Sequence, residues 1–336
     1  MSKYRSSLPQ LGDRLFLTDS GLETTLIFHD GIALPCFAAF LLLDEPAGHE
    51  RLRAYYARHA LMARVHRAGL VLEAPTWRAN PDWGERLGYD ATRLRETSLA
   101  AIRMLVEIRD LYESTATPVV ISGNIGPRGD GYAPSTRMSP SQARDYHLPQ
   151  VRAFAGSAAD MVSAFTINYI DEAIGIVMAA RDCGLPVVIS FTVETDGTLP
   201  SGDSLQEAIE ATDTATAGYP AYYMINCAHP DHFMGALSGE VWCRRIRGLR
   251  ANASRRSHAE LDDSQDLDIG DPRELAQLHG RLKGMMPWLT VVGGCCGTDH
   301  RHVESIYRAM AAGTDERGPH EGRHHRFHQG DRRPAG

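Results

Sequence analysis

The sequence predicts an α/β protein folded as a single (βα)8 barrel, and three observations carry that expectation. Short β-rich apolar runs alternate with helical segments along the chain eight times. At 336 residues, 43% of them hydrophobic, the chain is long enough to bury one barrel-sized core. The unusual polar residues cluster just after the apolar runs, the edge at which such barrels place their chemistry.

Taken in order, the first run is Leu15–Thr18, leading into Asp19-Ser20-Gly21-Leu22-Glu23-Thr24. A helix over Pro46–Ala68 follows, with Leu52, Tyr55, Tyr56, His59, Met62, Ala63 and His66 on one face. The second run, Leu70–Leu72, ends in Glu73-Ala74-Pro75-Thr76-Trp77, and the helix of Ala91–Glu113 has an apolar stripe from Leu94 to Leu111. The third, Val119–Ser122, enters the glycine-rich stretch Gly123–Gly131; Ser139-Pro140 is a cap-and-proline start for the helix after it. Met161–Ala164 gives Phe165-Thr166-Ile167-Asn168 and a helix over Asp171–Cys183. Val187–Phe191 leads to Glu194 and a helix from Ser204 to Thr216. Ala221–Ile225 ends at Asn226-Cys227, and Ile246–Leu249 precedes Asn252. The stretch Arg255–Gly270 is polar and acidic, as a lid would be, and Asp271-Pro272 starts the next helix. The eighth run is Leu289–Val292, followed by Gly293-Gly294-Cys295-Cys296-Gly297, with Thr298 placed to cap a helix over Asp299–Ala312. Residues 1–312 therefore form the barrel. Residues 313–336 read as a disordered Gly/His/Arg tail, in which His320, His324, His325 and His328 are solvated rather than ligands.

A net charge of −7, with no basic face before that tail, argues against nucleic-acid or anionic-membrane partners. No run approaches the roughly 18–20 apolar residues of a membrane span. The N-terminal stretch lacks a signal-peptide core. Six cysteines in this length are too sparse for a disulfide scaffold, so the expected compartment is the cytoplasm, with thiols reduced. Self-association is left open.

Two adjacent cysteines at one strand end invite a metal reading, and Cys227 at another strand end strengthens it. Cys36, Cys183 and Cys243 lie away from strand ends and read as structural. Three thiolates outweigh the charge of a Zn2+ ion and make it a poor activator of water. Such a site suits soft sulfur, and a thiol filling the remaining position loses its proton. The ligand type thus points to S-alkylation of a small thiol. A zinc hydrolase would want histidine and carboxylate ligands. A non-catalytic zinc- or thiol-binding barrel would want a fourth protein ligand, for which His229 is the nearest candidate. Trp77 and Trp83 are candidates for a wall over a cationic donor, with loop packing as the competing role. Asp19 competes between binding and helix capping, and Glu73 between binding and pairing with an arginine such as Arg78.

Gly293–Thr298, Asn226-Cys227 and the opening Asp19–Thr24 resemble the zinc-dependent homocysteine S-methyltransferases, over Leu15 to about Ala312. The resemblance implies a (βα)8 barrel with a zinc site at the C-terminal mouth, held by Cys227, Cys295 and Cys296. It implies homocysteine, or a related thiol, as acceptor and methionine as product in the first case. It places Asp19 on the substrate amino group and makes Glu23, Thr76 and Asn226 candidate substrate-binding residues. Gly126-Pro127 and Gly129 resemble a glycine-proline element after the third strand. Two places depart: Ser20 stands where a glycine is usual, and Phe165 where a glutamate commonly holds the substrate ammonium. The chain ends soon after the barrel, so a small sulfonium or quaternary-ammonium methyl donor is expected rather than a corrinoid or folate module.

Overall fold

The computed structural model describes residues 1–315 other than Ser135, Ser238 and Gln265; the predicted tail lies almost entirely outside the described residues. Eight parallel strands close in sequence order: β1 (Phe16–Leu17), β2 (Gly69–Glu73), β3 (Val119–Ile125), β4 (Met161–Ile167), β5 (Val187–Phe191), β6 (Tyr222–Asn226), β7 (Ile246–Ala251) and β8 (Val291–Gly294). Leu17 sits opposite Leu70 on one side and Val292 on the other, so the first strand zips the last to the second.

The alternation of β-branched residues explains the two cores. Val71, Val120, Val188 and Val291 point inward and pack with Phe16, Met161, Tyr222 and Met224 inside the barrel. Their neighbours Leu70, Leu72, Val119, Ile121, Val187, Ile189 and Val292 point outward, against helical faces carrying Leu52, Tyr56, Ile102, Leu105, Ile176 and Ile306. Seven long helices cover the barrel: Pro46–His66, Ala91–Tyr112, Pro140–Ala155, Ile170–Asp182, Leu205–Thr216, Pro272–Met285 and His300–Asp315. Ser139 and Ser204 close capping boxes with Gln142 and Glu207, and the Asp271 carboxylate accepts from the Arg273 amide.

The differences from the sequence reading fall mostly at the mouth. β3, β4 and β7 run two or three residues further than the apolar runs predict, because the ladder continues past single polar residues, Asn124, Thr166 and Arg250, to the carboxyl edge. β6 is followed only by a short helix, Pro230–Phe233, and single turns. A short helix over Pro81–Leu87 precedes Ala91–Tyr112. Within the proposed lid, Ser257 caps a short helix, His258–Asp262. Thr298 does not cap the final helix: its hydroxyl donates back to the Cys295 carbonyl at 2.7 Å, and Asp299 accepts from the Arg301 amide instead. Among the described residues no helix is long and apolar enough to cross a membrane.

Candidate active site

Cys227 is the first residue beyond β6, and Cys295 and Cys296 the first beyond β8. Their three Sγ atoms lie within 4.8 Å of one another, with Cys227 at 2.8 Å from Cys295 and 3.6 Å from Cys296. The chain bends sharply to do this. Cys227 adopts φ 56° and Thr166, at the end of β4, φ 62°, a left-handed region that costs non-glycine residues about 1–3 kcal/mol each. Asn226 holds Thr166: its Oδ1 accepts from the Thr166 amide (2.9 Å) and the Ser190 hydroxyl (2.6 Å), and its Nδ2 donates to Thr166 Oγ1 (2.9 Å). The Cys227 carbonyl in turn accepts from Asn252 Nδ2 at 3.0 Å and lies 2.6 Å from His258 Nε2.

The opening motif locks the cysteine turn. A Cβ on Gly21 would strike the Cys295 carbonyl, and Gly297, at φ 77°, donates to Thr24 Oγ1 at 3.3 Å. Cys295 is held well below the ordinary thiol range, because Cys227 and Cys296 share their protons with it and Arg250 adds positive potential. Those hydrogen bonds and burial push Cys296 and Cys227 the other way. The three sulfurs therefore form one proton-sharing cluster, and each has to give up its proton to serve as a metal ligand. Tyr132, from the glycine-rich stretch after β3, places its hydroxyl 3.1 Å from Cys227 Sγ and stacks on His258 at 3.9 Å. Asn168 secures this loop by donating to the Asp130 and Gly131 carbonyls.

Beside the cysteines, a cleft of about 1100 Å3 open to solvent is lined by Asp19, Glu23, Glu73, Trp77, Arg78, Phe165, Asn226 and Arg250, among others. Asp19 does not cap a helix. It makes a 2.8 Å ion pair with Arg250 and accepts from the Tyr55 hydroxyl at 3.2 Å, with both charged groups almost fully buried. Arg250 also donates to the Gly294 and Ser20 carbonyls, at 3.0 Å each. Glu73 does not pair with Arg78; it accepts from Ser163 Oγ at 3.0 Å. Burial lifts both Glu73 and the half-buried Glu23 to about 7.

Thr76 does not line the cleft: it is fully buried and its hydroxyl donates to the Asn124 carbonyl at 2.7 Å, joining the loops after β2 and β3. His229 points away from the cysteines and caps the Pro230–Phe233 helix, its Nδ1 accepting from the Asp231 amide. Trp77 lines the cleft and Trp83 does not, and both rings lie against the Arg78 guanidinium, at 4.0 and 4.2 Å. Of the residues sequence reading missed, Arg250 had a signal: extending the seventh strand by two residues turns it inward. Tyr132, His258 and Arg78 had none, since only tertiary folding of their loops brings them to the mouth.

The class that fold and site define is a parallel (βα)8 barrel with buried acids, an arginine and three thiols gathered at its carboxyl edge. The family whose model matches, homocysteine S-methyltransferase, covers residues 17–310, and the chain belongs to that family. Homocysteine S-methyltransferase 3 of Arabidopsis thaliana is 22% identical over 218 residues, a match that spans 59% of this chain and 59% of the plant protein. The metallated form of the homocysteine methyltransferase MmuM from Escherichia coli superposes with a TM-score of 0.67 at 18% identity, covering 91% of this chain and 99% of that one. Its oxidised form gives the same TM-score at 17% identity and the same coverage. At these identities the superpositions speak for the fold.

Proposed function

We propose that this protein is a zinc-dependent S-methyltransferase that moves a methyl group from a small sulfonium or quaternary-ammonium donor to the thiol of homocysteine or a related acceptor. The observation that carries the reading is the convergence of three cysteine sulfurs from two strand ends, in a chain of this family. The residues fit the metal: two ligands of a tetrahedral zinc thiolate lie about 3.8 Å apart, a spacing the trio can adopt with small shifts. Cys227, Cys295 and Cys296 would hold the ion, with His229 engaged elsewhere. Bound there, zinc supplies a soft site on which an acceptor thiol is deprotonated and keeps an electron-rich sulfur.

The chain's own residues do the rest. Arg250 offsets the negative charge of the thiolates and opposes the upward push that burial exerts on the Asp19 carboxyl. Asn226 and the bonds to the Cys227 carbonyl fix the bent strand end, so the sulfurs do not have to be ordered during reaction. Tyr132 shares a hydrogen bond with Cys227 and covers the site from the glycine-rich loop. Phe165 supplies an apolar wall where the family resemblance leads one to expect a carboxylate, so Glu23, with Glu73 behind it, becomes the acid available to a substrate ammonium. In the reaction the acceptor sulfur bonds to the methyl carbon as the donor's carbon–heteroatom bond breaks. The donor leaves as a neutral thioether or amine, and the acceptor's proton passes to solvent.

The test is transfer of labelled methyl from S-methylmethionine, S-adenosylmethionine or betaine to homocysteine, by protein purified under reducing conditions, with and without a chelator. Turnover that disappears on chelation and returns with zinc is expected. A fully loaded protein that methylates neither homocysteine nor any small thiol overturns the reading.

A further inference from the structure

The cleft contains two buried arginines, and they are not equivalent. Arg250 is neutralised by Asp19 and donates to two carbonyls. Arg78 makes no ion pair among the described residues, although it is only 8% exposed. Its guanidinium lies against the rings of Trp77 and Trp83, and among the described residues a single N–H, on Nη1, reaches a protein acceptor, the Gly129 carbonyl at 2.8 Å. Its Nε is buried with no hydrogen-bond partner among them. Stacking between aromatic faces fixes the plane of the fork without consuming its donors. A buried cation whose N–H groups are not all paired is costly unless an anion completes it. Asp130, an acid on the neighbouring loop after β3 that also lines the cleft, has its Oδ1 engaged with the Tyr132 and Ala133 amides.

The geometry points to Arg78 as the docking group for a substrate carboxylate, held by a planar fork that the Trp77–Trp83 pair presents to the cleft. A carboxylate accepts two parallel N–H bonds from such a fork, which fixes the orientation as well as the position of the molecule that carries it. The site thereby selects a small thiol acid or a sulfonium acid over an amine lacking the carboxylate. This inference rests on the methyltransferase reading and names what in the substrate the cleft recognises.

Acceptor and donor both present a carboxylate when they are amino acids, so the experiment has two arms. Zinc-loaded wild-type protein is compared with R78Q and R78K. One arm uses homocysteine against 3-aminopropanethiol; the other uses S-methylmethionine against (3-aminopropyl)dimethylsulfonium. Expected in one arm is a KM raised about 30-fold or more by R78Q, with kcat within a few-fold and no change for the partner lacking the carboxylate. R78K falls between, since it keeps the charge but loses the fork. The affected arm identifies which substrate docks there. Wild-type discrimination between the members of each pair separates the same outcomes should R78Q not fold. Wild-type turnover that is indifferent to the carboxylate in both arms, or an R78Q KM unchanged in both, overturns the inference and leaves the methyltransferase reading intact. Absence of wild-type turnover with any pair defeats that reading instead.

Discussion

The Asp19–Arg250 pair offers the sharpest physical test of the barrel mouth. The two groups are 3% and 7% exposed and 2.8 Å apart. Removing one partner of a buried pair typically costs about 3–5 kcal/mol, because the other charge is left without compensation. R250M also deprives the Gly294 and Ser20 carbonyls of donors, adding about 1 kcal/mol each. D19N is milder, about 2–3 kcal/mol, since Arg250 keeps both carbonyls. The double variant D19N/R250M places two neutral groups face to face and should lose roughly 2–3 kcal/mol less than the sum of the singles. Burial already raises Asp19 above the ordinary carboxylate range even with Arg250 beside it, so in R250M the carboxyl takes up a proton readily. The deficit of R250M therefore shrinks as pH falls. Urea unfolding of the four proteins, metal-free and reduced, measures both effects. Singles that add within about 0.5 kcal/mol, with a deficit that does not vary with pH, would refute the reasoning.

Three further outcomes follow from the same structure. C227S removes one of three converging sulfurs, so zinc affinity by competitive chelation should fall at least about 100-fold while the metal-free thermal midpoint stays within a few degrees; a wild-type zinc content would contradict the site. Glu73, lifted to about 7 by burial, binds a proton in the folded state that the unfolded chain releases near 4.5, so folding loses stability as pH rises through that window. E73Q removes the Glu73 share of that slope, Glu23 keeping its own, and should gain on the wild type between pH 5 and 8, by roughly 3 kcal/mol at most; parallel pH profiles would count against it. Ala217 closes the Leu205–Thr216 helix at φ 54°, on the surface, and A217G should raise the unfolding midpoint by about 0.5–1 kcal/mol of stability, with any decrease arguing against the left-handed cap.

The barrel was legible because its strands are short runs of Val, Ile and Leu, and the register needs nothing more than their alternation. Cys227 and the Cys295-Cys296 doublet were legible because each closes such a run. The polar lining was harder. Arg250 lies one residue past the predicted end of its strand, since hydrophobicity stops at Leu249 while the ladder continues to Ala251. Thr76 follows a strand as a binding residue would, but its hydroxyl faces the neighbouring loop. Trp77 and Trp83 were open between a cavity wall and loop packing, because sequence shows their aromatic faces, whereas the guanidinium against them is a tertiary fact.

The closure of the first strand on the last also bears on how this protein is made. Gly21 donates to Thr298 Oγ1 across 277 positions of sequence, and the turn bearing the final two cysteines rests on the opening motif. During synthesis Cys227 emerges alone, and the other two sulfurs follow only when nearly the whole barrel is out. A nascent chain therefore has no three-sulfur pocket in which to trap a metal early. Such long-range closure is slow to form, so the three sulfurs come together only with the completed fold, and their meeting marks that completion.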